Sequence, residues 1–348
     1  MTKRNILLIY TGGTIGMIKA HADAPLQPFD FDKLLEEIPE LRHLDIHIDA
    51  TAQLPIIDSS DMDPERWVAL GNLIWSNYRA YDGFVLLHGT DTMSYTASAL
   101  SFLFEHLGKP IILTGSQLPI GVTRTDAKEN LITSLEIAAA QRADGRPMVP
   151  EVAIYFEYKL LRGNRTHKFS SQHFDAFRSP NYPALAEAGV NVQFFRGQIA
   201  PISEEPTTCS GSFNPLIQVV KLTPGTSAGL LLPVLENPHH CALILETYGA
   251  GNAPYSDWLS EAISLNVDRG VPVINVSQCP AGGVDQSKYS NGLWLQELGV
   301  ISAGDMIFEA ALVKAMFLLA NAQTASTPQF SRAYWSNLRG ERTAWSEL

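Results

Sequence analysis

The sequence is poor in cysteine. Cys209, Cys241 and Cys279 are its three cysteines, an odd number with no C-x-x-C pair. That excludes a disulfide-stapled scaffold and a thioredoxin-like redox motif, and it fits a reducing, cytoplasmic compartment. Positive charge is also scarce, with 25 Lys and Arg against 36 Asp and Glu and a formal net charge of −11. Such a chain has no electrostatic footprint for nucleic acid or an anionic lipid surface. Long apolar runs are missing. No stretch reaches the roughly 18 apolar residues of a membrane span. The run Ile6–Tyr10 near the N-terminus is too short for a signal peptide, and no small-residue cleavage site follows it. Repeats of fixed period and low-complexity tracts are absent too, which excludes solenoid and fibrous architectures.

What is present is a folded-domain composition. Hydrophobic residues make up 45% and charged residues 18% of 348 residues, enough for a sizeable core and more than one domain. Short, nearly continuous apolar runs occur at Ile6–Tyr10, Gly83–Leu87, Pro110–Thr114, Val152–Phe156, Ile217–Leu222, Ala242–Glu246 and Val271–Val276. Runs without polar alternation predict strands covered on both faces. Segments of helical period lie between them. One starts at Asp63-Pro64-Glu65, with an Asp cap, Pro at the first helical position and an acid in the first turn, and is expected to reach Tyr78. Others are Thr92–His106, Asp126–Gln141, Ser256–Asn266 and Glu309–Leu319. The alternation predicts an α/β protein: a larger N-terminal domain with a mainly parallel sheet and a smaller C-terminal parallel domain. A stretch rich in Pro, Ser and Thr gives expected boundaries of 1–196, a linker at 197–215, and 216–348.

Two strand ends carry threonines. Thr11-Gly12-Gly13-Thr14-Ile15-Gly16 follows the first strand, and His88-Gly89-Thr90-Asp91-Thr92 follows Gly83–Leu87. Ligands of open parallel sheets sit beyond the carboxyl ends of strands, and adjacent glycines permit tight turns and close approach. An ordinary turn with incidental threonines, or a capped helix start, has the same residues. The first motif lacks the spacing of a dinucleotide or phosphate loop. Asp58-Ser59-Ser60-Asp61-Met62-Asp63 lacks the glycine and distal glutamate of a calcium loop. It reads as a helix start, with Asp58 and Ser59 free for a small polar ligand. Arg162-Gly163-Asn164-Arg165-Thr166-His167-Lys168 reads either as a solvated cationic loop or as the source of a buried lysine able to act as a base. His43 and His47 lack a third metal ligand. His239-His240, after a proline, reads as loop surface, and Cys279 either as a site residue or, as is commoner for a buried thiol, as core. Tyr334-Trp335 and Trp345 are expected to dock a helix or form subunit contacts.

Taken together, these segments resemble the bacterial-type L-asparaginases. The two threonine turns look like the family's signatures. Asp58-Ser59-Ser60-Asp61-Met62, Thr114-Gly115-Ser116-Gln117, Arg162-Gly163-Asn164-Arg165 and Tyr248-Gly249-Ala250-Gly251-Asn252-Ala253-Pro254 continue the match in order, nearest the cytoplasmic type I branch. The resemblance implies hydrolysis of L-asparagine to L-aspartate and ammonia, with variable glutaminase activity and no metal or organic cofactor. It also implies a homodimer or homotetramer. By resemblance Thr14 is the nucleophile, and Thr90, Asp91 and Lys168 form a second Thr-Asp-Lys cluster. Asp58 and Ser59 belong to the substrate loop, and Asn252 is contributed across a dimer. The chemistry is coherent, since a weak hydroxyl nucleophile needs a base and an oxyanion site. Asp91, helped by Asp58, suits the substrate ammonium and Ser59 its carboxylate.

The sequence departs from the family in two places. Family members carry a tyrosine on the loop after the first signature, but no tyrosine occurs here between Thr11 and Asn77. An arginine found before the Tyr-Gly turn, which serves an allosteric asparagine site in some members, is replaced by Glu246-Thr247. Its loss removes a bidentate carboxylate clamp. Two other functions fit parts of the same pattern. The ammonia-producing subunit of a tRNA-dependent amidotransferase is expected to carry a further N-terminal domain. An asparagine sensor on the same scaffold needs no pair of hydroxyls with a base.

Overall fold

The computed structural model describes residues 3–16, 18–19, 26–27, 38–320 and 327–343. Most of the loop at 17–29 and Trp345 therefore lie outside the described residues. The chain divides into two compact units, Met1–Ser210 and Gly211–Leu348.

The first unit is built on an eight-stranded sheet. Its strands are β1 (Arg4–Gly12), β2 (Ile46–Ile57), β3 (Gly83–Leu87), β4 (Ile111–Thr114), β5 (Val152–Phe156), β6 (Lys159–Arg162), β9 (Ala186–Ala188) and β10 (Val192–Phe194). A separate antiparallel pair joins β7 (His167–Lys168) to β8 (Phe177–Arg178). The order across the main sheet is β10-β9-β6-β5-β4-β3-β1-β2. The pairs β2/β1, β1/β3, β3/β4 and β4/β5 are parallel. The pairs β5/β6, β6/β9 and β9/β10 are antiparallel.

The central strands are apolar on both sides for a physical reason. Successive side chains point to opposite faces. Ile6, Leu8 and Tyr10 of β1 and Val85 and Leu87 of β3 pack in one cluster with Leu131 and Leu135 of helix α3 (Ala127–Ala139). Leu7, Ile9, Phe84 and Leu86 turn the other way and are buried as well. Each such side chain contributes roughly 1.5–3 kcal/mol by leaving water. Helix α1 (Pro64–Asn77) begins as its sequence predicts: Asp63 caps it by accepting from Arg66 N at 2.8 Å, with Pro64 in the first turn. Helix α2 (Met93–Leu103) starts just past the second threonine turn.

The second unit holds a four-stranded parallel sheet in the order β11 (Ile217–Lys221), β12 (Ala242–Thr247), β13 (Val273–Ser277), β14 (Ile301–Ser302). Helices α4 (Ala228–Leu235), α5 (Asp257–Asp268), α6 (Ser290–Glu297), α7 (Phe308–Leu319) and α8 (Thr327–Trp335) accompany it. Tyr334 on α8 is fully buried and donates to Ala311 O of α7 at 3.0 Å. Two surface expectations fail here. His240 is buried, with Nε2 2.7 Å from Asn266 Oδ1, because the loop tucks its ring against α5. Cys279 is exposed, since the segment leaving β13 turns outward.

Candidate active site

Parallel pairing brings the carboxyl ends of β1, β2, β3 and β4 to one edge of the sheet. An irregularity in the outer strand draws two of their turns together. Tyr10 pairs with Ala52, but Gly12 pairs with Ile57, so β2 gains residues at its end. The Asp58-Ser59 turn is thereby placed beside Gly12-Gly13. Gly12 has φ +130°, and a Cβ there would lie 1.9 Å from Ile57 O.

The next contacts are equally close. A Cβ on Gly13, at φ +91°, would sit 2.4 Å from both N and Cα of Gly89. One on Gly89 would meet Ser59 Oγ at 2.4 Å, and one on Gly115 would lie 2.4 Å from His88 O. The turns are thus packed with Gly12, Gly13 and Gly115 against backbone and Gly89 against the Ser59 side chain, and the glycines exist because no further side chain fits between them. Thr14 opens a single 3-10 turn, Thr14–Gly16, directly after Gly13 and is half-buried.

Lys168 completes the cluster. Its Nζ donates to Thr90 Oγ1 at 2.8 Å and to Asp91 Oδ1 at 2.5 Å. The lysine side chain is 16% exposed and the aspartate 65%, so the pair opens to solvent on the Asp91 side. The solvated reading of the 162–168 segment is overturned. Arg162 is buried and donates from Nε to Glu151 Oε2 at 2.6 Å, and Arg165 is buried too. Burial of Arg162 at the end of β6 and of Arg165 on the 3-10 turn Gly163–Arg165 that follows it fixes the path of β7, which carries Lys168.

Ser59 is buried, and its carbonyl accepts from Thr92 Oγ1 at 2.7 Å, tying the Asp58-Ser59 turn to the second threonine turn. Asp58 Oδ1 accepts from Ser60 N at 2.8 Å and Ser60 Oγ at 2.7 Å. The bond from the Ser60 amide, then that from its hydroxyl, hold the Asp58 carboxyl below its usual range. It is a carboxylate at neutral pH, with Oδ1 already engaged. The β4 turn is pinned by Asp126, which accepts from Gln117 N at 2.9 Å and Leu118 N at 3.2 Å, and by Asn130, which donates to Gly115 O at 3.0 Å.

Asn252 belongs to the second unit. It closes the turn after β12, exchanging backbone bonds with Tyr248 at 2.8 and 2.9 Å. The turn is held from below by Asn275, which donates to Gly251 O at 3.0 Å and accepts from Thr247 Oγ1 at 2.6 Å. Of the residues singled out in the sequence, then, the turns of Asp58-Ser59 and Thr14 pack against that of Thr90-Asp91 in the first unit, and Lys168 joins the cluster through Thr90 and Asp91. Asn252 lies on a turn of its own.

His88 was not singled out as a functional residue. It is buried beneath the second turn, between Gly89 O and Thr96 Oγ1. Burial pushes its pKa down to about 4, against the opposing bond to Gly89, so the ring is neutral at physiological pH. Tyr10 ends an apolar strand run in the sequence. Its hydroxyl donates to Gly13 O at 3.3 Å, and burial raises its pKa to about 12. The available signal was a polar-tipped ring at or just after a strand end, one or two residues before a threonine-bearing glycine turn.

Comparison with known proteins gives the same assignment for both units. The family description "Asparaginase, N-terminal" matches residues 5–200, and "Glutaminase/Asparaginase C-terminal domain" matches residues 217–330. The chain is 41% identical over 345 residues to L-asparaginase 1 of Escherichia coli (strain K12), covering 99% of both chains. The crystal structure of L-asparaginase I from Vibrio cholerae superposes with a TM-score of 0.87 at 40% identity, over 98% of this chain and 99% of that one. The thermostable L-asparaginase from Thermococcus kodakarensis gives 0.87 at 34% identity, over 97% and 99%. On matches that run through both units at this identity, the chain belongs to the asparaginase family.

Proposed function

We propose that this protein is an L-asparaginase that hydrolyses L-asparagine to L-aspartate and ammonia, with the Thr14 hydroxyl as nucleophile. The observation that carries the proposal is the Lys168 ammonium held 2.8 Å from Thr90 Oγ1 and 2.5 Å from Asp91 Oδ1, in the turn packed against the one that bears Thr14.

Thr14 Oγ1 attacks the side-chain amide carbon, and the carbonyl oxygen takes the negative charge of a tetrahedral intermediate. Collapse breaks the C–N bond. The departing nitrogen takes up the proton that the Thr14 hydroxyl gives up on attack and leaves as ammonia, and an ester to Thr14 remains. Water, deprotonated at the Thr90-Lys168 pair, cleaves that ester and returns the proton to Thr14. Lys168 stabilises alkoxide character on Thr90 as the proton moves, and Asp91 orients the lysine. Asp91 also faces solvent, where it suits the substrate ammonium together with Asp58. The buried Ser59 hydroxyl suits the α-carboxylate. The loop tyrosine of relatives has no sequence counterpart here, so proton transfer rests on the lysine cluster. Asn252 is proposed to reach the site of a neighbouring subunit in a homodimer or homotetramer. The enzyme is proposed to work in the cytoplasm on free amino acid without metal or cofactor. Among the described residues no helix is long and apolar enough to cross a membrane.

One methylene separates asparagine from glutamine, worth about 1–3 kcal/mol or roughly 10–200-fold in a pocket. Glutaminase activity is therefore expected as a minor one. The test is ammonia release from both amides by the wild type and by Thr90→Ala. Turnover of asparagine that is lost in folded Thr90→Ala supports the proposal. Tight asparagine binding without turnover by the wild type refutes it in favour of a sensor.

A further inference from the structure

Two buried side chains take no part in the chemistry above, yet each grips one of the threonine turns. Tyr10 donates to Gly13 O at 3.3 Å, and His88 Nδ1 lies 2.7 Å from Gly89 O. The two carbonyls occupy equivalent places. Gly13 directly precedes Thr14, and Gly89 directly precedes Thr90.

The proton on His88 can be placed by elimination. A carbonyl only accepts, so Nδ1 must carry the hydrogen. The ring is neutral, which leaves Nε2 as acceptor. Thr96 Oγ1, 2.9 Å away, donates to it, and the same oxygen accepts from Trp67 Nε1 at 3.2 Å. The chain Trp67–Thr96–His88–Gly89 runs in one direction from α1 through α2 into the turn and has one consistent assignment. Tyr10 comes from elsewhere, from the cluster that packs against α3. Its hydroxyl keeps its proton throughout the physiological range.

Across a trans peptide plane, a C=O and the following N–H point in opposite directions. A carbonyl drawn into the core therefore turns the next N–H away from it. We propose that Tyr10 and His88 are paired positioning residues: by holding the Gly13 and Gly89 carbonyls inward they aim the N–H groups of Thr14 and Thr90 outward, as donors to the oxyanion of the reaction. This deepens the hydrolase proposal and rests on it. Neither side chain touches substrate. Contact between the two turns, so close that a Cβ added to Gly13 would lie 2.4 Å from Gly89 N, makes the two peptides one preorganised unit.

Three variants test it. Tyr10→Phe removes only the hydroxyl. In His88→Gln the amide falls at the place of Nε2, so it keeps the Thr96 contact and loses the clamp. His88→Asn puts an N–H at the place of Nδ1, so it loses Thr96 and keeps the clamp. Misaimed donors should lower kcat for asparagine about tenfold or more in Tyr10→Phe and His88→Gln, with KM within about twofold. His88→Asn should recover to within about threefold of wild type, although it is the smaller side chain. In 15N-labelled protein the Thr14 amide should shift in Tyr10→Phe, and the Thr90 amide in His88→Gln but little in His88→Asn. Equal kcat in wild type, Tyr10→Phe and His88→Gln overturns the proposal. So does His88→Asn as slow as His88→Gln, or amide resonances that do not move. If the wild type releases no ammonia from asparagine, the hydrolase proposal itself fails, and the amide shifts still decide whether the clamps act on these peptides.

Discussion

Replacing Gly13 by alanine tests whether the packing of the turns sets the site. The new Cβ would sit 2.4 Å from Gly89 N and Cα and 2.9 Å from His88 C, all backbone atoms. Ordinary contact begins at 3.4 Å. The turns must therefore separate by about 1 Å, a misplacement worth on the order of 10²-fold in rate. Stability falls for two reasons. Alanine at φ +91° costs roughly 1–2 kcal/mol, and overpacking costs typically 1–3 kcal/mol, together about 2–5 kcal/mol. Gly145→Ala isolates the first of these. Gly145 has φ +80° with nothing within 4 Å of a built Cβ, so the expected cost is roughly 1–2 kcal/mol with kcat unchanged. Ammonia release and urea unfolding on both variants give the comparison. Gly13→Ala with wild-type kcat, or no less stable than Gly145→Ala, would refute the packing argument.

Acidification should cost stability through His88. Its pKa falls from 6.5 unfolded to about 4 folded. The unfolded chain thus binds the extra proton first, and stability present above pH 6.5 is lost as pH falls toward 4, by roughly 3 kcal/mol in all. His88→Asn should flatten that part of the urea-midpoint profile, and identical profiles would exclude the assignment. Lys168→Met should lower kcat for asparagine by about 10²–10⁴-fold while thermal unfolding changes little, because the removed pair is open to solvent on the Asp91 side; a rate within threefold of wild type counts against a role for the lysine. In the second unit, Lys314 and Glu341 form a fully buried ion pair at 2.5 Å. Lys314→Met should destabilise by about 3–5 kcal/mol because it strands a buried carboxylate, and an unchanged urea midpoint would contradict this.

Much of the central architecture could be read from the sequence. The strands Gly83–Leu87 and Val152–Phe156 have the expected limits, and most of the others differ by one or two residues. These are strands covered on both faces, where apolar continuity is the physical signal. The outer strand Ile46–Ile57 was missed. It lies at the edge of the sheet, is only partly buried where described, and reads Ile-His-Ile-Asp-Ala-Thr with polar residues interspersed. The antiparallel extension of β6, β9 and β10 was missed because three- and four-residue strands carry too little pattern. Burial of charge was misjudged for a different reason. Arg162 is buried because Glu151 pairs with it, and His240 because Asn266 does, and such partners are set by tertiary packing.

The candidate site was legible unevenly. Strand-end position marks the Thr14 and Thr90 turns as facing one edge, whereas Asp58 and Ser59 follow a strand that the sequence pattern does not reveal and read as a helix start. The bond between Lys168 and Thr90 spans 78 positions of sequence, and no local rule predicts it. Only resemblance to the family pointed to that pairing. The clamps of Tyr10 and His88 are hidden in the sequence because a ring in or just after a buried strand is ordinarily core. Their role depends on which carbonyl the polar tip reaches, and that is a property of the fold.

The most direct test of the central claim is ammonia release from L-asparagine by purified wild-type protein and by Thr14→Ala, with folding checked by circular dichroism. Turnover by the wild type that vanishes in a folded Thr14→Ala is the predicted result. Undiminished turnover in Thr14→Ala, or none in the wild type, would contradict it.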